Sequence, residues 1–491
     1  MSRRTPFSRP GYLLAPLMAL FIAVPTLAQE ISSSGSKDVN LTVYNQNFGL
    51  VRDVRKIELK DGINYLRFED VAAQIDPTSV SFTSLTAPNA VVVREQNYQY
   101  DLLNPTTILK KSVGKPVKFR QFLPAGQVRE LSGTLLNAPE VTVSDTEGNV
   151  SVQTQGLAVK TADGVVLNPE GQAELAELPA GLVSRPSLLW KLETTKAGTH
   201  DSEISYQTRG LNWRCDYVAV ANVDDTKADL TSWVTIDNKS GASFKKAALK
   251  LLAGDVHKIQ PESAPRMEMM AADGAPPPPP QFKEQAFAEY HLYTLQGRTD
   301  VNNNETKQLS LFNSSAVPVK KLFIFESERA QPIYDESGQT AASKVQVKLE
   351  LENSEANRLG MPMPKGKVRV YKKDEDGALQ FIGEDMIDHT PRDEKIRLYI
   401  GDAFDVVAER KQTNLVRVSK TTERQSYEIS LRNHKKTPVT VTVVEHAYGQ
   451  WKVLEASHPQ KKKDSRTFEF AIAVPANGTV DLSYTVEIKQ I

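Results

Sequence analysis

In Lys344–Asn353, KVQVKLELEN, apolar and polar residues alternate one for one. Val345, Val347, Leu349 and Leu351 fall on one face of an extended chain, and Lys344, Gln346, Lys348 and Glu350 fall on the other. Side chains repeat every two residues in a strand and every 3.6 in a helix, so this pattern fits a half-buried strand and no helix. The same period recurs along the sequence. TFEFAIAVPANGTVDLSYTVEI (Thr467–Ile488) shows it twice around a Pro-Ala-Asn-Gly turn, and SYEISLRNHKKTPVTVTVVEH (Ser426–His446) twice around NHKKTP. GKVRVYKKDEDGALQFIGE (Gly366–Glu384) reads as a further hairpin turning at Glu375–Gly377. Sustained helical periodicity is nearly absent, and NPEGQAELAEL (Asn168–Leu178) offers a turn or two at most. The expected fold is mainly β: several modules of antiparallel β-sandwich, an inserted small β-barrel and little helix.

The modules are expected at residues 38–95 (an N-terminal β module), 100–180 (the small-barrel-like insertion, short strands and frequent glycines), 186–338 (central sandwich strands) and 340–491 (a C-terminal sandwich). Within the third, residues 261–285 hold MEMMAADGAPPPPP. Five consecutive prolines cannot join a ladder, and the composition marks a disordered loop or spacer. Residues 1–28 read as a signal peptide, with Arg3, Arg4 and Arg9 before the apolar run GYLLAPLMALFIAVPTLA and a small residue, Ala28, at the expected cleavage point. That run is short for a membrane span and carries Pro16 and Pro25. The expectation is an exported protein, periplasmic or secreted, with no transmembrane anchor in the mature chain.

The precursor holds 60 Lys and Arg against 60 Asp and Glu, and loss of the three signal arginines leaves a formal charge of −3. Nucleic-acid binding requires a basic surface to displace phosphate counterions, and a balanced chain argues against it. A single cysteine allows no internal disulfide. That residue, Cys215 in RGLNWRCDYVAV, sits between Arg214 and Asp216. Strand alternation sends the charges one way and Cys215 the other, with Trp213 and Tyr217, so a packed core thiol is expected in place of a nucleophile.

No other constellation carries chemistry. Histidines 200, 257, 291, 389, 434, 446 and 458 are scattered, and no pair has metal-ligand spacing. EDMIDHTPRDE gathers Asp385, Asp388, His389, Asp393 and Glu394, a possible hard-cation or acid–base cluster that also fits a solvated turn. Glu445 and His446 are adjacent on a strand and face opposite ways. Lys461–Lys463 reads as a hairpin tip or a weak patch for anionic polymers. Trp190, Trp213, Trp233 and Trp451 are available for sugar stacking, with Trp213 on a core stripe and Trp233 beside Thr231 and Thr235. No Gly-x-Ser-x-Gly elbow and no phosphate-binding glycine loop occur.

Several segments together carry a family resemblance. YNQNFGLVRDVR (Tyr44–Arg55), YDLLNPTTILKKSVGKPV (Tyr100–Val117), GLVSRPSLLWKL (Gly181–Leu192), ISYQTRGLNWRCDYVAV (Ile204–Val220) and WVTIDNKSGASFKKAALKLLAGDV (Trp233–Val256) occur in order, and Gly366–Arg410 continues them. The chain resembles bacterial proteins with domain of unknown function 4139, found also in mucoidy-inhibitor-A-like proteins, here without their coiled-coil insertion. The resemblance implies an exported, β-rich envelope protein, and a small residue in relatives where Cys215 stands. It transfers no catalytic, cofactor or metal residues. The functional expectation is a non-enzymatic binding or scaffold protein toward envelope proteins or polysaccharide. An envelope hydrolase using residues 385–394 and a carbohydrate-binding module are the alternatives.

Overall fold

A computed structural model describes residues 30–33, 38–124, 127–144, 150–254, 256, 281–326, 343–374 and 376–489. The signal segment 1–28 and residues 261–280 of the proline-rich stretch lie outside the described residues. The fold is mainly β, as the alternation predicts. The one α-helix among the described residues is Pro105–Lys110, started by Asn104, whose side chain accepts the Thr107 N–H, with Pro105 in the first turn. No described helix is long and apolar enough to cross a membrane.

Three sheets share one core, to which strands Ser343–Glu352 and Lys395–Arg417 of a fourth add Leu349, Leu351, Ile396 and Leu398. The largest orders its strands Phe282–Phe287, Tyr290–Leu295, Phe244–Ala253, Asp38–Tyr44, Phe48–Leu59, Gly198–Arg209 and Ser81–Ser84, with Thr299–Val301 paired beside Phe244–Ala253. A four-stranded sheet (Glu30–Ser33, Gly62–Glu69, Ser187–Thr194, Val91–Gln99) covers part of its inner face, where Phe82 meets Trp190 at 5.4 Å between ring centres. A five-stranded sheet (Glu305–Pro318, Lys227–Asn238, Leu211–Ala221, Gly366–Lys373, Leu379–Ile387) covers another part. There the Trp213 Nε1–H donates to the Leu252 carbonyl at 3.1 Å and its ring lies 6.2 Å from that of Tyr293. Leu41, Val43, Leu66, Phe68, Trp190, Trp213 and Tyr217 are among the buried members of this core.

A nine-stranded sheet running from Gln450–Ala456 to Gln460–Lys462 closes over its own core of Phe325, Val345, Ile429, Leu431, Phe468 and Phe470. Most ladders are antiparallel. Four among the described strands are parallel: Glu30–Ser33 with Gly62–Glu69, Asp38–Tyr44 with Phe244–Ala253, Leu211–Ala221 with Gly366–Lys373, and Lys320–Glu326 with Val439–His446. Alternation reports which face is buried and carries no information on the partner's direction, so these pairings extend the antiparallel expectation.

The insertion is an open sheet, where a closed small barrel was expected. Its order is Gly164–Leu167, Ala158–Thr161, Val128–Leu135, Pro116–Phe122, Gln172–Glu174, with short edge strands at both ends and a separate ribbon of Glu140–Ser144 and Val150–Thr154. Its core is Val117, Phe119, Leu135 and Val159 with Leu109 of the helix packed on it. Its end strands, Gly164–Leu167 and Gln172–Glu174, do not pair with each other to close a barrel, and Leu109 of the helix packs on the apolar face. The helical turn weighed for Asn168–Leu178 is not formed: Asn168 and Gly171 take left-handed φ values of 50° and 113°, and Gln172–Glu174 pairs with Pro116–Phe122.

The five-stranded and nine-stranded sheets meet at Asp225. Its Oδ1 accepts from Lys372 Nζ at 2.7 Å and its Oδ2 from Lys321 Nζ at 2.9 Å, joining the turn after Leu211–Ala221 to strands of both sheets. Burial pushes its carboxyl pKa up, the two ammonium groups pull it down further, and it ends below its ordinary value of 3.8. A depressed carboxylate contributes stability above its unfolded pKa and loses it as pH falls through the folded one. Asp225→Asn is therefore expected to cost about 1 kcal/mol at pH 7, with the gap to wild type closing below pH 4. Thermal melts at pH 7 and pH 3 check this; a gap that widens in acid would contradict the assignment.

Candidate functional site

Leu211–Ala221 buries Leu211, Trp213, Cys215, Tyr217, Ala219 and Ala221 on one face. Arg214 and Asp216 face outward, where Arg214 Nη1 bonds Asp237 at 2.6 Å and Asp216 accepts from the Thr235 hydroxyl at 2.7 Å. The strand is held tightly: the Tyr217 hydroxyl donates to the Pro364 carbonyl at 2.6 Å, and a Cβ on Gly366 would stand 2.2 Å from the Cys215 carbonyl oxygen. Burial pushes the Cys215 thiol up to about 12. A thiol so rarely ionised is a poor nucleophile, and labelling by an alkylating reagent is expected only at the rate of unfolding. Fast labelling of the native chain at pH 8 would overturn the core assignment.

The acidic run does not converge. Glu384 pairs with Lys367 and Arg369 at 3.3 and 3.6 Å. Asp385 accepts the N–H groups of Met386 and Tyr399, and Asp388 that of His389. Asp393 sits 3.7 Å from Arg392. Among the described residues no three His, Cys, Asp or Glu side chains stand together as metal ligands would. Glu445 and His446 do part: Glu445 is buried against Arg410, and His446 lies 3.4 Å from Glu326 on the other face. Trp190 and Trp213 are core residues, Trp233 is half-buried, and Trp451 packs on Phe468 with Lys462 4.8 Å above its ring. Lys461 and Lys462 lie on an exposed edge strand paired with Thr467–Val474.

A concave site lies elsewhere among the described residues. On Phe48–Leu59 the buried face reads Val51, Asp53, Arg55, Ile57, Leu59. Two charges interrupt an apolar stripe on this strand. Arg55 Nε and Nη2 reach Asp53 Oδ2 at 3.0 and 2.9 Å, and the guanidinium lies 3.6 Å over the Phe68 ring. Pairing and stacking together offset the cost of burying the charge. Tyr206 stands beside them, its hydroxyl taking the Ala72 N–H at 3.4 Å, and burial drives its pKa well up.

Over this floor opens a cleft of about 910 Å³. Val39, Val51, Val71, Leu102 and Phe244 supply its apolar lining, while Arg185, Lys245, Lys246 and Arg298 supply cations. Its two walls touch at one end, where the Ala73 N–H bonds the Ser240 carbonyl at 2.7 Å. Gly241, at φ 88°, permits that approach; a Cβ there would meet the Ala73 Cβ at 2.4 Å. Arg298 ties the other end, donating to the Lys246 carbonyl at 2.9 Å and to Asp38. The hydrogen bond from Arg298 leads in holding the Asp38 carboxyl below its ordinary pKa. Arg185 bonds Asp70 at 2.6 Å, and Lys245 reaches Asn302 at 2.6 Å and Asp300 at 3.5 Å.

Sequence reasoning passed over this cleft. The one signal available was the Asp53 and Arg55 pair, two residues apart on a face otherwise carrying Val51, Ile57 and Leu59. Its walls come from segments far apart in the chain, which no local pattern reports.

Residues 202–490 match the family model described as Domain of unknown function (DUF4139). No curated protein matches the chain. The match includes Tyr206 and the 241–246 wall, and leaves Asp53, Arg55 and Arg185 to the part of the chain that precedes it.

Proposed function

The chain belongs to the DUF4139 family, and we propose that it serves as a non-enzymatic binding protein of the cell envelope, exported and capturing an envelope component in the cleft above Asp53, Arg55 and Tyr206. The observation that carries the reading is the cleft itself: a concave, partly apolar site with a few converging polar groups, lined by strands of the largest sheet and by the loops beside them. Its groups suit holding over reacting. Asp38 is kept ionised by Arg298, Tyr206 is kept protonated by burial, and Arg55 is committed to Asp53 and Phe68. In the acidic run of the hydrolase alternative, Glu384, Asp385 and Asp388 spend carboxylate oxygens on cations and backbone N–H groups.

The test is capture from envelope extracts by wild type and by Ser184→Trp, which plugs the cleft from an exposed position. A component enriched by wild type and lost by the plugged, still folded variant is the expected result. Equal enrichment by both, or by neither over a blank resin, sinks the reading. Cell fractionation tests its location, and retention in the cytoplasm would remove the envelope from the proposal.

A further inference from the structure

The cations of the cleft are not matched one to one. Arg55, Arg185, Lys245, Lys246 and Arg298 line it, against Asp38, Asp53 and Asp70. Arg55 is answered by Asp53, Arg185 by Asp70, Arg298 by Asp38, and Lys245 by Asp300 from just outside. Lys246 is the lining cation with no carboxylate partner among the described residues.

Its backbone is equally unusual. Lys246 has φ 48°, a left-handed conformation that costs a non-glycine residue, at a register break between Phe244 and Ala247 where the strand pairs with Thr299–Val301. Such bulges re-aim a side chain. Both its backbone polar groups are held from outside the strand: its N–H donates to Asp300 Oδ1 at 2.8 Å, and its carbonyl accepts from Arg298 Nη1 at 2.9 Å. The neighbours thus fix the bulge and spend no charge on the ammonium group. Lys246 is exposed, and it lines the same cleft as the apolar Val39, Val51 and Phe244, so its ammonium group is open to an incoming negative charge.

We propose that the cleft takes an anionic group, a carboxylate or a phosphate carried on an apolar body, with Lys246 as its anchoring cation and Arg185 as a second contact. This rests on the cleft being the binding site and adds the chemistry of what enters it. A neutral ligand would leave the surplus charge unused, and a cation would be repelled by it.

The test uses the full chain with hexyl phosphate, hexanoate and uncharged hexanol, titrated by calorimetry at low and moderate salt. Saturable binding of one or both anions is expected, weakened by salt, with hexanol at least tenfold weaker. The two anions separate the sources: binding of hexyl phosphate alone assigns a phosphate, and of hexanoate alone a carboxylate. Lys246→Gln is expected to weaken anion binding about tenfold and Lys246→Arg to retain most of it, while Lys250→Gln, outside the cleft on the same strand, leaves it unchanged. Arg185→Gln weakens it too and does not touch the left-handed position. The proposal is overturned if hexanol binds as well as the anions, if no probe binds, or if both Gln variants at 246 and 185 bind like wild type. Ser184→Trp separates the two levels. An extract component that it releases but Lys246→Gln does not would end the anion proposal and leave the cleft reading standing; insensitivity to Ser184→Trp ends both.

Discussion

Trp213→Ala is expected to destabilise the protein by about 3–5 kcal/mol, the range for removing a large aromatic from a packed core. Trp213 is 2% exposed and is the largest buried side chain that the five-stranded sheet sends against the largest sheet. Its removal leaves a cavity and takes the Nε1–H donor from the Leu252 carbonyl. Cys215→Ala, two residues along the same buried face, removes one sulfur and is expected to cost about 1 kcal/mol or less. Urea melts of the two variants side by side decide the matter. A Trp213→Ala loss no larger than that of Cys215→Ala would mean that this face is not the joint between the sheets.

The second large effect lies in the C-terminal sheet. Arg410 Nε and Nη2 hold Glu445 Oε1 and Oε2 at 3.1 and 3.0 Å, and the guanidinium lies 3.8 Å from the Tyr427 ring centre. Glu445 is 1% exposed. Burial alone would pull the Arg410 pKa down; Glu445 more than offsets it and raises it above the ordinary value. Arg410→Ala strands a carboxylate inside the core and is expected to cost about 3–5 kcal/mol, whereas Arg410→Met with Glu445→Leu, which removes both charges, recovers most of that. Strands Ser343–Glu352 and Lys395–Arg417 of this sheet also send Leu349, Leu351, Ile396 and Leu398 into the core around Trp213, so the loss is expected to lower the urea midpoint of the whole fold. An Arg410→Ala variant as stable as wild type would refute the buried-pair account.

Much of the fold was legible because alternation is a property of single strands. Spacing alone sends Trp213, Cys215 and Tyr217 inward and Arg214 and Asp216 outward, and that is how the strand packs. What alternation does not encode is which strand lies beside which. The parallel partner of Leu211–Ala221 and the return of Phe244–Ala253 beside Asp38–Tyr44 are set by tertiary packing. The short helix was signalled by Asn104 and Pro105 within LLNPTTILKK and lost among strand-like neighbours. The cleft was hidden for the same reason as the sheet order: Asp53, Tyr206, Lys246 and Arg298 belong to four separate strands and turns. Lys246 adds a further obstacle, since its left-handed φ has no glycine or asparagine to announce it.

The parallel pairing of Leu211–Ala221 with Gly366–Lys373 sets a timetable for the nascent chain. Tyr217 and its acceptor Pro364 are 147 positions apart. Synthesis from the N-terminus delivers the antiparallel neighbour Lys227–Asn238 almost at once, and the other neighbour only after most of the chain has emerged. Until then one flank of this strand presents open amides beside the buried Trp213 and Tyr217, a surface prone to pairing with other chains. Closing so long a loop is also slow. The amides of Leu211–Ala221 that face Gly366–Lys373 should therefore be among the last protected in pulsed hydrogen exchange during refolding. A chain ending before Gly366 should aggregate, and early protection of those amides would refute this order of assembly.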